Sequence, residues 1–404
     1  SGQFGTRLQG GNDSASERYI FTLLNKITRK IFNIEDDNIL KYLNDDGTPV
    51  EPIFYAPIIP MILINGSKGI GTGFSTDIMS YDPIQIISYL KSKLNNEEYN
   101  LDFIPYYEGF QGTIEKISET KFLIKGKYEK VGTDKIRVTE LPVGYWTENF
   151  KEHLEGLIEP GVDKEGKNIT PIVKDYDDMS KDTTIDFTIT LQKGKIEELE
   201  STVVDHNCNG LEKLFKLYTT NTNTNMHLFD ANDKLKKYNK VEEIIDDYFN
   251  TRLKLYQTRK EYMIDALEKE LVLLTNKARY IKENLDDTID LRKKKKQEII
   301  DMLDDKDYDV IDDDKEYKYL VKMAMDSVSE ENVAKLLQEY EKKNNELELV
   351  KATTIEQMWL TELDILETEY TDYVESRIQS QKADVEPVKK NAVKKIVKKI
   401  VKSK

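Results

Sequence analysis

The sequence is poor in the residues that hold folds together covalently or through metals: one cysteine, Cys208, and three histidines, His153, His206 and His227, in 404 residues. A single thiol excludes an intramolecular disulfide and any multi-cysteine zinc site, and it fits a reducing compartment, cytosolic or nuclear. The histidines lie far apart, with no His or Cys at ligand spacing, so no metal motif is present. No apolar run reaches the roughly 18 residues of a membrane span, and no signal-peptide pattern opens the chain. An initiator methionine is also missing, and the abrupt opening SGQFGTR is read as that of a fragment of something longer.

Net positive charge is lacking as well. Sixty Lys and Arg against seventy-five Asp and Glu leave −15, which taken alone argues against a nucleic-acid binder. The distribution reverses that reading. From residue 382 to the end nine lysines face two acids, and residues 1 to 33 hold Arg7, Arg18, Lys26, Arg29 and Lys30 against Asp13 and Glu17. Both ends are basic and the middle is acidic. With 38% hydrophobic and 33% charged residues, the chain has much surface per unit of core, as extended or helix-rich architectures do. Its length suits two or three domains at roughly 100–200 residues each.

The pattern predicts an α+β, multidomain and helix-rich chain. In DSASERYIFTLLNKITRKIF the residues Ile20, Leu23, Leu24, Ile27 and Ile31 recur at helical spacing, with Asp13, Ser14 and Ser16 as N-cap candidates, which puts Tyr19 near a helix start. EPIFYAPIIPMILINGSKGIGTGFS is broken by Pro57 and Pro60 and carries glycines at 66, 69, 71 and 73, predicting short strands and a tight loop. A short amphipathic helix over 82–95 opens with Asp82 and Pro83. Residues 110–142 alternate as a β-meander, and 183–191 adds a strand. From Val241 to Leu285 apolar residues step by threes and fours in a narrow stripe. A second stripe, from Val333 to Tyr373, returns alongside it as an antiparallel coiled-coil hairpin, with residues 286–328 capping the far end. No internal repeat is present.

Arg18–Tyr19 is the first chemical candidate, since a cation beside a phenol stabilises the phenolate and the charge that develops on an attacked phosphodiester. The competing reading is a packing tyrosine with a wet hydroxyl. The glycine loop matches neither the P-loop nor the dinucleotide fingerprint. It leaves Ile70 as its one bulky side chain, either a wedge of the kind that pries base steps apart or a core residue. Asp312, Asp313 and Asp314 read as solvated surface rather than a cation site, and no Ser-His-Asp pattern exists. The tail KKNAVKKIVKKIVKSK has three readings: a DNA-contacting or nuclear-import tail, a solvated tail, or a membrane-surface helix.

Taken together, GQFGTRLQGGNDSASERYIFT, EPIFYAPIIPMILINGSKGIGTGFS and VTELPVGYWT resemble, in order and from residue 2 to about residue 378, the breakage-reunion part of type IIA DNA topoisomerases of the eukaryotic and large-virus branch. The resemblance implies that Tyr19 is the nucleophile that becomes linked to a DNA 5′ phosphate and that Arg18 supports the scissile phosphate. It also implies that Ile70 intercalates and bends the DNA and that Gln3 and Arg7 touch it near the cleavage site. Lys26 and Arg29 join them as expected DNA contacts from the basic opening; no residue is expected to bind a metal.

The resemblance further implies a winged-helix remnant over 1–96, a β-rich tower domain over 97–205, a connector over 206–240 and coiled-coil arms over 241–285 and 329–378. An exit-gate dimerisation tip over 286–328 and a basic tail over 379–404 complete the expected domains. Its implied partners are double-stranded DNA, a second copy of the chain and the upstream ATPase and TOPRIM portions, with no membrane. Mg2+ and ATP would serve the complete enzyme through portions absent here, so the chain alone is expected to cleave poorly or not at all. The expected compartment is the nucleus, or a viral or host compartment for a viral version. The rival reading is a non-catalytic, dimeric DNA-binding scaffold.

Overall fold

The computed structural model describes residues 3–161 and 170–385. In chain order the elements are α1 (Thr28–Ile31), β1 (Tyr42–Asp45), β2 (Thr48–Pro52), α2 (Met61–Asn65), β3 (Ser67–Gly71), β4 (Phe74–Ile78), α3 (Pro83–Leu94), β5 (Thr113–Ser118), β6 (Lys121–Lys125), β7 (Lys127–Lys130) and β8 (Lys135–Glu140). Then follow α4 (Thr147–Ile158), β9 (Val173–Asp178), β10 (Phe187–Leu191), α5 (Lys195–Glu200), α6 (Gly210–Leu214), β11 (Tyr218–Thr222), β12 (Met226–Phe229) and β13 (Leu235–Tyr238). The rest is helical: α7 (Val241–Leu285), α8 (Lys296–Asp305), α9 (Lys318–Val321), α10 (Glu330–Ala352) and α11 (Ile355–Val385). The chain divides into one unit made of residues 1–28 and 59–249, and a second made of 29–58 and 250–404. The basic run at the C-terminus, from residue 386 on, lies outside the described residues.

In the first unit the expected meander is split between two antiparallel sheets. One has the order β11-β6-β5 and the other β7-β8-β10-β9. The switch falls at Gly126, whose N–H donates to Leu217 O at 2.7 Å and where a Cβ would run into the Glu140 carbonyl. Only a residue without a side chain lets the backbones pass there. In the second sheet, Ile136 and Val138 of β8 and Phe187, Ile189 and Leu191 of β10 alternate inward to meet Phe150 and Leu154 of α4. Leu211 and Phe215 belong to the same core, and β11 pairs with β6, so this packing runs past the boundary expected at residue 205. Asp82 caps α3 as the sequence implies, its side chain accepting from Ile84 N–H at 2.9 Å. The segment after Pro60 forms helix α2 where a strand was expected, followed by the hairpin β3–β4.

The helix expected from Asp13 to Ile31 does not form. A single 3-10 turn, Glu17–Tyr19, and the four-residue α1 take its place. Leu23 and Leu24 are 92% and 80% exposed, so the apolar stripe has nothing to bury against, and helices of this length depend on such burial. Asn25 supplies a competing local bond: its side chain accepts from Ile27 N–H at 3.1 Å. Ser16, expected as a cap, makes no side-chain capping bond.

In the second unit α7 and α10 pack antiparallel, Leu267 and Leu271 against Leu347 with Ile264, Tyr340 and Val350 around them. The returning arm is broken at Thr353–Thr354. Lys260 Nζ donates to the carbonyls of Lys351 (3.1 Å) and Thr353 (2.6 Å), satisfying the end of α10. Thr354 and Gln357 then exchange backbone-to-side-chain bonds that start α11. Between the arms, Tyr280, Ile289, Leu303, Tyr308, Tyr317 and Leu320 form a separate small core. Asp314 accepts from Lys318 N–H at 2.6 Å, a turn cap within the acidic run.

A buried charge cluster anchors this unit. Asp36 accepts from Arg252 Nη2 at 2.8 Å and from Arg259 Nε at 2.9 Å, and Arg259 also pairs with Glu362. The two guanidinium carbons lie 4.2 and 4.4 Å from the Tyr256 ring centroid, and Tyr256 stacks on Trp359. Trp359 Nε1 donates to Ile58 O at 3.0 Å. Residues 252, 256 and 259 share one face of α7 because they are spaced by four and three.

Candidate functional site

The glycine-rich opening folds on itself around one carboxylate. Asp13 accepts from Thr6 N–H at 2.8 Å and from Thr6 Oγ1 at 2.6 Å, while Gly11 N–H and Ala15 N–H donate to the Thr6 and Gln3 carbonyls. The Thr6 hydroxyl first, and the Thr6 N–H after it, hold the Asp13 carboxyl below its ordinary range. Asp13, expected as a helix cap, is the hub of a loop.

Contacts at Arg7, Leu8, Gln9 and Gly10 fasten this loop to the β-rich part of its own unit. Arg7 forms a two-nitrogen ion pair with the buried Glu140, and its backbone N–H donates to Asp182 O at 2.8 Å. Glu148 N–H donates to Leu8 O at 3.1 Å. Gly10, at φ +62°, lies against Trp146 so closely that a Cβ would run into the indole. Glu140 and Trp146 both belong to VTELPVGYWT; sequence reasoning used that run as a marker and missed its role as the anchor of the opening loop.

Glu140 also accepts from the Gln111 and Leu141 N–H groups, each at 2.9 Å. Arg7→Ala therefore strips the charge partner from a carboxylate that is 1% exposed. With two donors left, the expected cost is about 2–3 kcal/mol, below the usual penalty for a fully orphaned buried charge. Hydrogen exchange at the Thr6, Gly11 and Ala15 amides checks it; unchanged protection would sink the anchoring role.

Tyr19 closes the 3-10 turn that follows the loop. Its side chain is 61% exposed, and the Arg18 guanidinium carbon sits 4.8 Å from its ring centroid. The packing alternative for Tyr19 does not hold. What the turn presents is an accessible phenol with a cation against it, a pair able to attack and to stabilise a phosphodiester.

Ile70 sits on the β3–β4 hairpin and is 94% exposed, which removes the core-packing alternative. It pairs across the hairpin with Ser75, and Gly71 pairs with Phe74. Gln3 is exposed, with its Nε2 3.4 Å from Asp13. Lys26 is exposed. Arg29 lies in the other unit and pairs with Asp37 at 2.6 Å. The fold thus gathers Gln3, Arg7, Arg18 and Tyr19 along one folded segment and carries Ile70 on a separate hairpin of the same unit.

With that geometry in place, similarity to known proteins is decisive. The A-subunit family model of DNA gyrase/topoisomerase IV matches residues 1–364. The chain belongs to this family. Among type IIA relatives, DNA topoisomerase 2 of Bombyx mori is 44% identical over 251 residues, 62% of this chain and 15% of that protein. The mitochondrial DNA topoisomerase 2 of Dictyostelium discoideum is 43% identical over 249 residues, 62% of this chain and 18% of that protein. A crystal structure of the Plasmodium falciparum topoisomerase II DNA-binding, cleavage and re-ligation domain superposes with a TM-score of 0.81 at 37% identity, covering 94% of this chain and 53% of that one. This topoisomerase-family chain therefore spans under a fifth of the curated relatives and about half of the solved one.

Proposed function

We propose that this chain is the tyrosine-bearing portion of the breakage-reunion core of an ATP-dependent type IIA DNA topoisomerase, an isomerase that passes one duplex through a transient break in another. The observation that carries the reading is the exposed Arg18–Tyr19 pair, presented on a turn beside an anchored loop. It lies in a chain 37% identical to a domain described as DNA-binding, cleavage and re-ligation.

In the proposed step Tyr19 Oη gives up its proton to solvent and attacks the scissile phosphorus. The Oη–P bond forms, the P–O3′ bond breaks, and the 3′ oxygen takes a proton, which leaves the 5′ phosphate on Tyr19. Attack by the 3′ hydroxyl reverses the step without consuming a nucleotide. Arg18 stabilises the charge that gathers on the phosphoryl oxygens. Ile70 enters a base step and bends the duplex. Gln3 and Lys26 contact the backbone directly. Arg7 and Arg29 already hold carboxylates and meet phosphate with their remaining N–H groups, since a guanidinium carries five.

We read the domains as a winged-helix portion over 1–96, a tower over 97–205, and coiled-coil arms over 241–285 and 329–378. The connector over 206–240 then contributes α6, β11 and the β12–β13 hairpin. The compact core over 286–328 is the dimerisation tip, so that two chains supply two tyrosines for a double-strand break. Among the described residues, no three His, Cys, Asp or Glu side chains are grouped to hold a metal ion. The described residues do not fit a Mg2+ site, and we assign Mg2+ to the TOPRIM portion and ATP to the ATPase portion of the complete enzyme. No helix among the described residues is long and apolar enough to cross a membrane. For the complete enzyme we propose the nucleus, or a viral or host compartment for a viral version.

A covalent-trapping experiment tests the reading: labelled duplex, Mg2+ and this chain, with and without a TOPRIM-bearing half, stopped with denaturant. Label that travels with this chain only when both halves are present is the expected result. No adduct with a partner shown to bind the chain would overturn it. Binding should also weaken steeply as salt rises, because phosphate contacts release counterions.

A further inference from the structure

The hairpin that carries Ile70 is not a free ribbon. Strand β12, from a part of the chain some 150 positions on, lies against β4. Asp77 N–H donates to Asn225 O at 2.8 Å, and His227 N–H to Thr76 Oγ1 at 3.3 Å. Asn225 Nδ2 donates to Ser75 Oγ at 2.9 Å, and Ser75 is the cross-strand partner of Ile70. The His227 Nδ1–Asn225 Oδ1 contact at 2.8 Å fixes the orientation of that amide, with Nδ1 as donor. One residue further toward the turn, Phe229 meets Phe74 edge to face, with centroids 5.8 Å apart. Phe74 in turn lies on Gly71, where a Cβ would come within 2.5 Å of its ring. Phe229 is itself 60% exposed, so burial in a core does not account for its position.

We propose that Asn225 and Phe229 are positioning residues for the Ile70 wedge: they brace the β3–β4 hairpin from its β4 side, on the two residues that face Ile70 and Gly71. The inference rests on the wedge role given to Ile70 above. An isolated two-stranded hairpin is marginally stable in water, whereas parting a base step costs a few kcal/mol. A free ribbon pressed against stacked bases yields before the bases do. The Asn225 amide and the Phe229–Phe74–Gly71 stack transfer that load to β12 and its partner β13.

The test uses the 404-residue chain and reads two quantities. Amide exchange across residues 67–78 without DNA reports the brace alone. Fluorescence transfer between the ends of a labelled duplex, at saturating protein, reports the bend. Asn225→Ala and Phe229→Ala should each raise hairpin exchange by about tenfold, the scale of a local opening made easier by one lost contact. The bend should fall toward that of Ile70→Ala while DNA affinity changes little. Asn225→Asp should restore both readings, because its carboxylate still accepts from His227 and the Ser75 hydroxyl can turn to donate. If exchange stays at the wild-type rate in Asn225→Ala and Phe229→Ala, the brace does not exist. If exchange rises but the bend persists while Ile70→Ala abolishes it, the positioning role is overturned and the wedge stands. A wild-type chain that does not bend DNA, or an Ile70→Ala chain that bends it fully, removes the wedge and this inference with it.

Discussion

Tyr19→Phe is expected to lower covalent adduct formation at least about 10³-fold, to background, since removing the atom that forms the intermediate leaves no alternative route. The ring stays, and with it the contact to the Arg18 guanidinium 4.8 Å from the centroid, so the turn Glu17–Tyr19 keeps its packing. With the side chain 61% exposed, losing the hydroxyl leaves no buried group without a partner. DNA affinity should therefore hold within a few-fold, as for an exposed side chain that keeps its shape. The paired measurement is adduct yield against equilibrium binding on the same duplex. Adduct retained by Tyr19→Phe would assign the nucleophile elsewhere. Equal loss of adduct and binding would make Tyr19 a contact residue rather than the reacting group.

Asp36→Ala should be the most destabilising of these substitutions. Asp36 is 2% exposed and balances two guanidiniums that are themselves 0% and 1% exposed. Among the described residues Arg252 Nε and Nη1 have no hydrogen-bond partner, so Asp36 offsets most of that residue's charge, whereas Arg259 keeps Glu362. Breaking a buried pair from one side costs about 3–5 kcal/mol, because the abandoned ion stays out of water. At about 1.4 kcal/mol per decade that is roughly 10²- to 4 × 10³-fold faster hydrogen exchange for amides near Arg252, Arg259 and Trp359. Glu362 is a useful comparator. Its side chain is 16% exposed, so water compensates part of the loss, and Glu362→Gln should cost less than Asp36→Ala. Equal, small effects from both would show that the cluster contributes little to stability.

How much of this was legible depends on the range of the interaction that decides each feature. The bounds of α7, Val241–Leu285, follow from a stripe of apolar residues spaced by threes and fours, and α3 from Asp82 and Pro83; both are local signals. The break at Thr353–Thr354 was also locally encoded, in the spacing of Thr354 and Gln357, but the apolar stripe on either side masked it. The segment around Tyr19 went the other way. Its helical spacing is real, yet Leu23 and Leu24 find nothing to cover them, and the Asn25 side chain takes the Ile27 N–H.

The order of residues was enough to specify the family-bearing motifs, the amphipathic helices and the one bulky residue of the glycine loop, because these rest on interactions within a few positions of each other. Which charges meet was settled by long-range packing. Arg7 finds Glu140 at a separation of 133 residues, and Asp36 finds Arg252 and Arg259 at 216 and 223. No periodicity encodes such pairs, since exposed acids and bases of the same kind are abundant throughout the chain. Burial selects among them: once packing withdraws Asp36 or Glu140 from water, an unpaired carboxylate is too costly to leave, and the fold must bring a guanidinium to it.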